Sequence, residues 1–243
     1  MIRPIDPMYK PMNPSGFPVN IKDRSLPFLS LLGLVVLLLG SGCSTSPKMD
    51  QDEQESQRVV LSSDPVKRIS QWKHLIEQNQ SVPAEEKLVL VNNFFNQLDF
   101  VDDATHWGRE DYWATPAETL VSNGGDCEDF TIAKYFTLRR MEIPERKVRL
   151  TYVKSLTLNQ PHMVLSYFHD PTAEPLVLDN LVKTIVPASD RLDLVPVYSF
   201  NGNGIWLAKR RDYTKRLRDS SDLRLWQDLL KRMRRDGQTI PSF

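Results

Sequence analysis

Residues 122–130 read SNGGDCEDF, and the organisation of the chain can be worked out from this stretch. One of only two cysteines in 243 residues, Cys127, stands among three carboxylates, Asp126, Glu128 and Asp129, just after a glycine pair. Buried structural cysteines behave as small hydrophobes, so a packing role does not explain these neighbours. Read locally, Gly124 and Gly125 permit a sharp turn, Asp126 caps a helix and Asp129 takes the capping-box place three residues on. The helix then runs over about 127–141, with Cys127 as its first residue. There the unpaired N–H groups and the helix dipole favour a thiolate, the nucleophilic form. The same N–H groups suit an oxyanion formed by attack on a carbonyl. The carboxylates oppose this, because negative charge beside a thiol raises its pKa. The thiol therefore needs a strong partner, or the acids need a cation.

Upstream, DPVKRISQWKHLIEQNQ (64–80) has Asp64 as cap, Pro65 at the first helical position and a stripe of Val66, Ile69, Trp72 and Ile76. SVPAEEKLVLVNNFFNQLDF (81–100) repeats the plan with Ser81 as cap and Leu88, Val91, Phe94 or Phe95 and Leu98 as the stripe. Downstream of Ile143-Pro144 the period falls to two. KVRLTYVKSL, HMVLSYF, PLVLDNL and VYSFNGNGIWLA read as strands, the last holding an NGNG hairpin signal. Helices first and strands after predict an α+β domain with a mainly antiparallel sheet over 64–208. Residues 209–243 form a basic tail with Leu223, Trp226, Leu229 or Leu230 and Met233 at helical spacing. It reads as a terminal helix with a solvated charged face, or as a contact for a membrane or acidic partner.

The N-terminus reads as an export signal. Leu26 to Leu39 is an apolar run flanked by Lys22 and Arg24 and followed by Gly40, Ser41 and Gly42, too short for a membrane span of about 20 residues. The ending LGSGC resembles a bacterial lipoprotein processing site, with Cys43 as the acylated residue, although Gly40 stands where an aliphatic residue is usual. Plain secretion and a retained anchor are the other readings, and translation from Met8 or Met12 would shorten the long leader. Residues 44–63 are polar and read as a tether. Cys43 and Cys127 make a poor disulfide pair, which leaves Cys127 a free thiol in an oxidising compartment. Lys plus Arg equals Asp plus Glu at 31 each, so nothing points to nucleic acid.

Among four histidines, His162 opens the strand HMVLSYF. Antiparallel pairing with PLVLDNL, symmetric about Asp170-Pro171, sets residues 162 and 179 opposite each other on one sheet face. A two-residue turn with proline second is disfavoured, so a longer loop shifts this by a few residues. Cysteine on a helix N-terminus with His162 and Asp179 on adjacent strands is a nucleophile, base and orienter set. Taken singly, Cys127 reads equally as a packing residue, His162 as a strand edge and Asp179 as a strand terminator. His106 and His169 are loop substitutes for the base, and His74 reads as helix surface.

WATPAETLVSNGGDCEDFTIAKYFTL (113–138), HMVLSY (162–167) and LVLDNL (176–181), in this order, resemble the bacterial transglutaminase-like cysteine peptidases of the LapG type. The likeness covers about 64–206. It implies a papain- or transglutaminase-like fold, with Cys127 as nucleophile, His162 as base and then acid, and Asp179 as its orienter. It also implies Ca²⁺ on Asp126 and Glu128, with Asp129 a further ligand, and hard oxygen donors suit that ion. First-turn helix stabilisation is the other role for Glu128 and Asp129. The implied biology is periplasmic cleavage of a large surface adhesin near its N-terminus, which disperses biofilm. An inner-membrane cyclic-di-GMP receptor is the implied inhibitor. Lipid attachment at Cys43 would tether the enzyme instead of leaving it free. A transglutaminase- or amidase-type acyl transfer shares the same triad, and a non-catalytic exported binding module shares the fold. Asn123 is the candidate second oxyanion donor, and Trp107 and Trp113 are either cleft or core aromatics.

Overall fold

The computed structural model describes residues 60–207 and 215–242. The readings for the leader, Cys43 and most of the 44–63 tether fall outside these residues. Among the described residues no helix is long and apolar enough to cross a membrane.

Helix α1 (Pro65–Gln78) begins as read, with Asp64 accepting from the N–H groups of Val66 and Lys67. Its buried face is Arg68, Trp72, Leu75 and Ile76, whereas Val66 is exposed because the first turn stands clear of the core. Arg68 is itself a structural tie. Its guanidinium donates to Leu120 O at 2.6 Å and Val121 O at 3.0 Å, and to Ser62 O and Ser63 O at 2.8 Å. The last residues of the tether are thus held on the domain. Helix α2 (Ala84–Phe95) starts two residues later than Ser81 as cap would place it, with Pro83 at the cap and no side-chain capping bond. Leu88, Val91, Phe94, Phe95 and Leu98 are buried as expected.

Four short elements lead to the cysteine: β1 (Asp99–Phe100), α3 (Asp103–His106), α4 (Pro116–Ser122) and β2 (Gly124–Gly125). Thr115 and Glu118 close a capping box at the start of α4, and Asn123, left-handed at φ 64°, ends it. The turn that glycines were expected to make is therefore made by Asn123. The glycines serve close approach instead, in a parallel bridge to β1. A Cβ on Gly124 would lie 2.6 Å from Asp99 O, and one on Gly125 would lie 2.3 Å from Asp129 Oδ2.

Helix α5 (Cys127–Arg140) then runs through the core, burying Phe130, Ile132, Ala133, Tyr135, Phe136 and Leu138. Behind it lies an antiparallel sheet of β3 (Val148–Ser155), β4 (Gln160–Tyr167), β5 (Leu176–Leu178), β6 (Val186–Pro187), β7 (Leu194–Asn201), β8 (Gly204–Leu207) and β9 (Arg216–Arg218). The strand order is β6-β5-β4-β3-β7-β8-β9. Side chains alternate between faces: Leu150, Met163, Leu165, Tyr167 and Phe200 join the core that holds α5, while Val153, Val164, Val177 and Leu194 form a second cluster. The NGNG hairpin forms as read, with Asn201 opposite Gly204. Helix α6 (Arg224–Arg235) belongs to the main core, because Trp226 stacks on Phe136 at 5.5 Å and meets Phe200 edge-on at 5.6 Å.

The β4–β5 register differs from the symmetric reading by two residues: Leu165 pairs with Leu178, Ser166 with Val177 and Tyr167 with Leu176. The connecting loop explains it. Asp170 folds a local turn, accepting from Thr172 N at 3.0 Å and Thr172 Oγ1 at 2.8 Å, and Ala173 N donates to Asp170 O. That moves the hairpin centre toward Thr172. Asp179 consequently lies one residue past the end of β5, diagonal to His162 instead of opposite it.

Candidate active site

Because β5 stops at Leu178, β4 has no strand partner alongside Met163 on that edge. The first turn of α5 fills the gap. Thr131 Oγ1 contacts Met163 O at 3.1 Å and Cys127 O at 2.8 Å, and the Met163 N–H donates to the Cys127 sulfur. In an antiparallel strand the N–H and C=O of one residue point to the same side, which is why one helix turn engages both. The half-buried Cys127 thiol is thereby lodged against the backbone of the residue after His162.

His162 is buried, and its Nε2 lies 2.8 Å from Asp179 Oδ1. Leu181 N also donates to that oxygen, at 3.1 Å, while Arg191 Nη1 pairs with Oδ2 at 2.8 Å. Arg191 is held in turn by Asp193. Burial alone would raise the Asp179 pKa, but the hydrogen bond and charge of His162, the Leu181 N–H and Arg191 outweigh it and hold the carboxyl at about 2. Asp179 is an anion at neutral pH. With its Nε2 committed to Asp179, His162 keeps Nδ1 for another partner.

The acids gather on the other side of the thiol. Asp126 occupies the cap position of α5 but makes no capping bond. Asp129 supplies half of a capping box, accepting from the Asp126 N–H, and also accepts from Ala114 N at 2.7 Å. Glu128 Oε2 takes the Cys127 thiol at 3.0 Å. Two acids absent from the sequence reading join them, Asp103 from α3 and Asp111 from the following loop. Carboxylate oxygens of Asp103, Asp126 and Asp129 lie within 4.8 Å of one another, as do those of Asp103, Asp111 and Glu128. Asp103 Oδ1, Asp126 Oδ1 and Asp129 Oδ2 are buried without a hydrogen-bond partner among the described residues. Burial, then mutual repulsion, pushes Asp126 up to about 9, while burial raises Glu128 to about 7 and Asp129 well above its usual range. Burial, then the charges of Glu128 and Asp126, also lifts the Cys127 thiol far above its ordinary value, although Met163 N–H works the other way. Here burial and the carboxylates outweigh the Met163 N–H. A cluster of buried, unpartnered, all-oxygen donors fits a hard dication.

A family model described as bacterial transglutaminase-like cysteine proteinase matches residues 65–195. The chain belongs to this family. LapG of Legionella pneumophila is 45% identical, with a TM-score of 0.63 over 75% of this chain and 94% of that one. Its calcium-bound form also matches at 45% identity and a TM-score of 0.63, covering 75% and 96% of the two chains. The EGTA-treated form matches at 46% and 0.64, covering 75% and 95%. No curated protein matches the chain. The α+β architecture is accordingly the transglutaminase-like fold, and the protein is a LapG-like cysteine proteinase.

In this cysteine proteinase the remaining sequence candidates have other partners or are exposed. Asn123 commits its amide to Asp99 Oδ2 at 2.9 Å. Trp113 is a core residue, stacked on Phe200 at 5.6 Å, while Trp107 packs between His106 and Tyr112. His74 and His169 are exposed. Tyr152, which pairs with Met163 across the sheet and stacks on Tyr198 at 5.2 Å, was not singled out by the sequence. Its only sequence signal was the alternation of β3. Asn96 and Arg191 gave none, since their partner Asp179 is remote in the chain.

Proposed function

We propose that the protein is a calcium-dependent endopeptidase of the periplasm that cuts the N-terminal region of a large surface adhesin through Cys127, His162 and Asp179. The observation that carries this reading is the 2.8 Å bond from His162 Nε2 to Asp179, on the strand whose Met163 N–H meets the Cys127 sulfur. With Nε2–H donated to Asp179, Nδ1 holds the lone pair that takes the thiol proton. Sγ attacks the scissile carbonyl carbon, and the oxyanion forms where the N-terminal N–H groups of α5 converge. His162 returns the proton to the leaving amine and a thioester remains. Water, deprotonated by the same imidazole, attacks the thioester carbon, and the proton goes back to Sγ.

Asp126, Glu128 and Asp129, joined by Asp103 and Asp111, would hold the calcium ion. Bound there, Ca²⁺ supplies the charge that offsets the carboxylates now opposing thiolate formation. At calcium 100 times its Kd the folded state gains about 2.7 kcal/mol, so the melting temperature is expected to rise by several degrees. Asp126→Asn should remove most of that rise. An equal rise in this variant would move the ion elsewhere.

The direct test incubates the protein with the N-terminal segment of a large surface adhesin, with calcium or with a chelator, and reads intact masses. Two fragments summing to substrate plus water, formed only with calcium, are expected. Cleavage untouched by chelation would sink the calcium dependence, and an uncut segment the adhesin assignment. The export-like leader is what favours the periplasmic site, and control by an inner-membrane cyclic-di-GMP receptor is carried by the sequence resemblance alone.

A further inference from the structure

We propose that Thr131 and Lys134 are positioning residues through which α5 holds the reacting side chains in register. This rests on the assignment of Cys127, His162 and Asp179 to catalysis. Residues 127, 131 and 134 follow the i, i+4, i+7 spacing that puts them on one helix face. Each touches a different part of the site. Cys127 carries the thiol. Thr131 Oγ1 contacts Met163 O at 3.1 Å, next in the chain to His162. Lys134 Nζ donates to Asp179 O at 3.1 Å and to Asn96 Oδ1 at 2.8 Å, and Asn96 Nδ2 donates to the same Asp179 O at 2.9 Å.

The placement of Lys134 is costly. It is 1% exposed in the middle of the apolar run Ile132 to Phe136, and lysine is almost never fully buried unless paired. Burial lowers its pKa to about 7, with the charge of Asp179 opposing. Its two acceptors are neutral amide oxygens, so it does not form the direct ion pair that usually accompanies such a charge. An apolar side chain of similar volume would suit this core better. What the amino group adds is a hold on Asp179. That residue lies one position past β5, beyond the last ladder pair, Leu165–Leu178. Lys134 and Asn96 grip its carbonyl there, and its carboxylate meets His162. Misplacement of a reacting group by about 1 Å costs on the order of 100-fold in rate.

The test compares Lys134→Met and Thr131→Val with wild type in the full chain. It measures kcat and KM on the adhesin segment and the alkylation rate of Cys127 by iodoacetamide, followed on the peptide that contains it. Folded Lys134→Met is expected to lose roughly 10- to 100-fold in kcat and in alkylation rate, with KM within about twofold. Thr131→Val should lose less, in the same pattern. A folded Lys134→Met with wild-type kcat and alkylation overturns the proposal, even if it melts at a lower temperature. If Lys134→Met does not fold, the near-isosteric Thr131→Val decides alone, and wild-type rates there overturn it. Activity retained by Cys127→Ala would sink the catalytic assignment itself. An inactive Cys127→Ala beside a fully active Lys134→Met would sink only this inference.

Discussion

Cys127→Ala is expected to lower cleavage by at least about 10³-fold while the protein stays folded. In the proposed mechanism the thiol sulfur is the atom that bonds to the carbonyl carbon, and no neighbouring group substitutes for it. Glu128 is the nearest alternative nucleophile, yet it has Cys127 and Asp126 as hydrogen-bond partners and burial raises its pKa. Stability should change little. Alanine is a good helix former at the first position of α5, and the half-buried thiol donates only one weak bond. Circular dichroism and melting would establish the fold, and mass spectrometry the loss of turnover. Cys127→Ser is the useful companion, since it keeps a donor to Glu128 and should also be nearly inactive. Wild-type cleavage by the alanine variant would place the chemistry away from the α5 N-terminus.

The parts of the site that were legible in the sequence are those set by local chemistry. SNGGDCEDF specifies its own helix start, and NGNG specifies its own hairpin. The pairing of His162 with Asp179 was legible for a subtler reason. The turn at Asp170–Thr172 moved the register by two residues, and a shift of two leaves every side chain on its original face. A shift of one would have separated the pair. Other features depend on chain segments that meet only in the folded protein. Arg191 reaches Asp179 from the loop before β7, Asn96 reaches it from the end of α2, and Asp103 and Asp111 join the acids from a segment without periodicity. Each had at most a weak signal, such as the run of acids between Asp99 and Asp111, or a lysine inside an apolar helix. The glycine pair was misread because a turn and a close backbone approach call for the same residue type, and only the packing of Asp99 and Asp129 distinguishes them.

Asp179→Asn should reveal what the carboxylate does, through two separate measurements. The anion accepts the Nε2 proton of His162 and so fixes the tautomer with a free Nδ1. An asparagine can turn its NH₂ toward Nε2, which moves the proton to Nδ1 and leaves no base for the thiol. A fall in kcat of about 10³- to 10⁴-fold is expected, with KM little changed. Stability gives the second measure. Asp179 is held at about 2 against an ordinary 3.8, so its charged form is favoured by folding. That depression contributes about 2 kcal/mol above pH 4, lost progressively as pH falls toward 2, where the folded carboxyl protonates as well. The asparagine variant lacks this contribution and leaves the buried Arg191 with Asp193 alone. Urea unfolding should therefore find it less stable than wild type at pH 7, with the gap closing by roughly that amount toward pH 2. A gap that stays constant across this range would mean that His162 and Arg191 do not hold the carboxyl as an anion. A variant with undiminished kcat would remove Asp179 from the reaction and leave it a structural partner of Arg191.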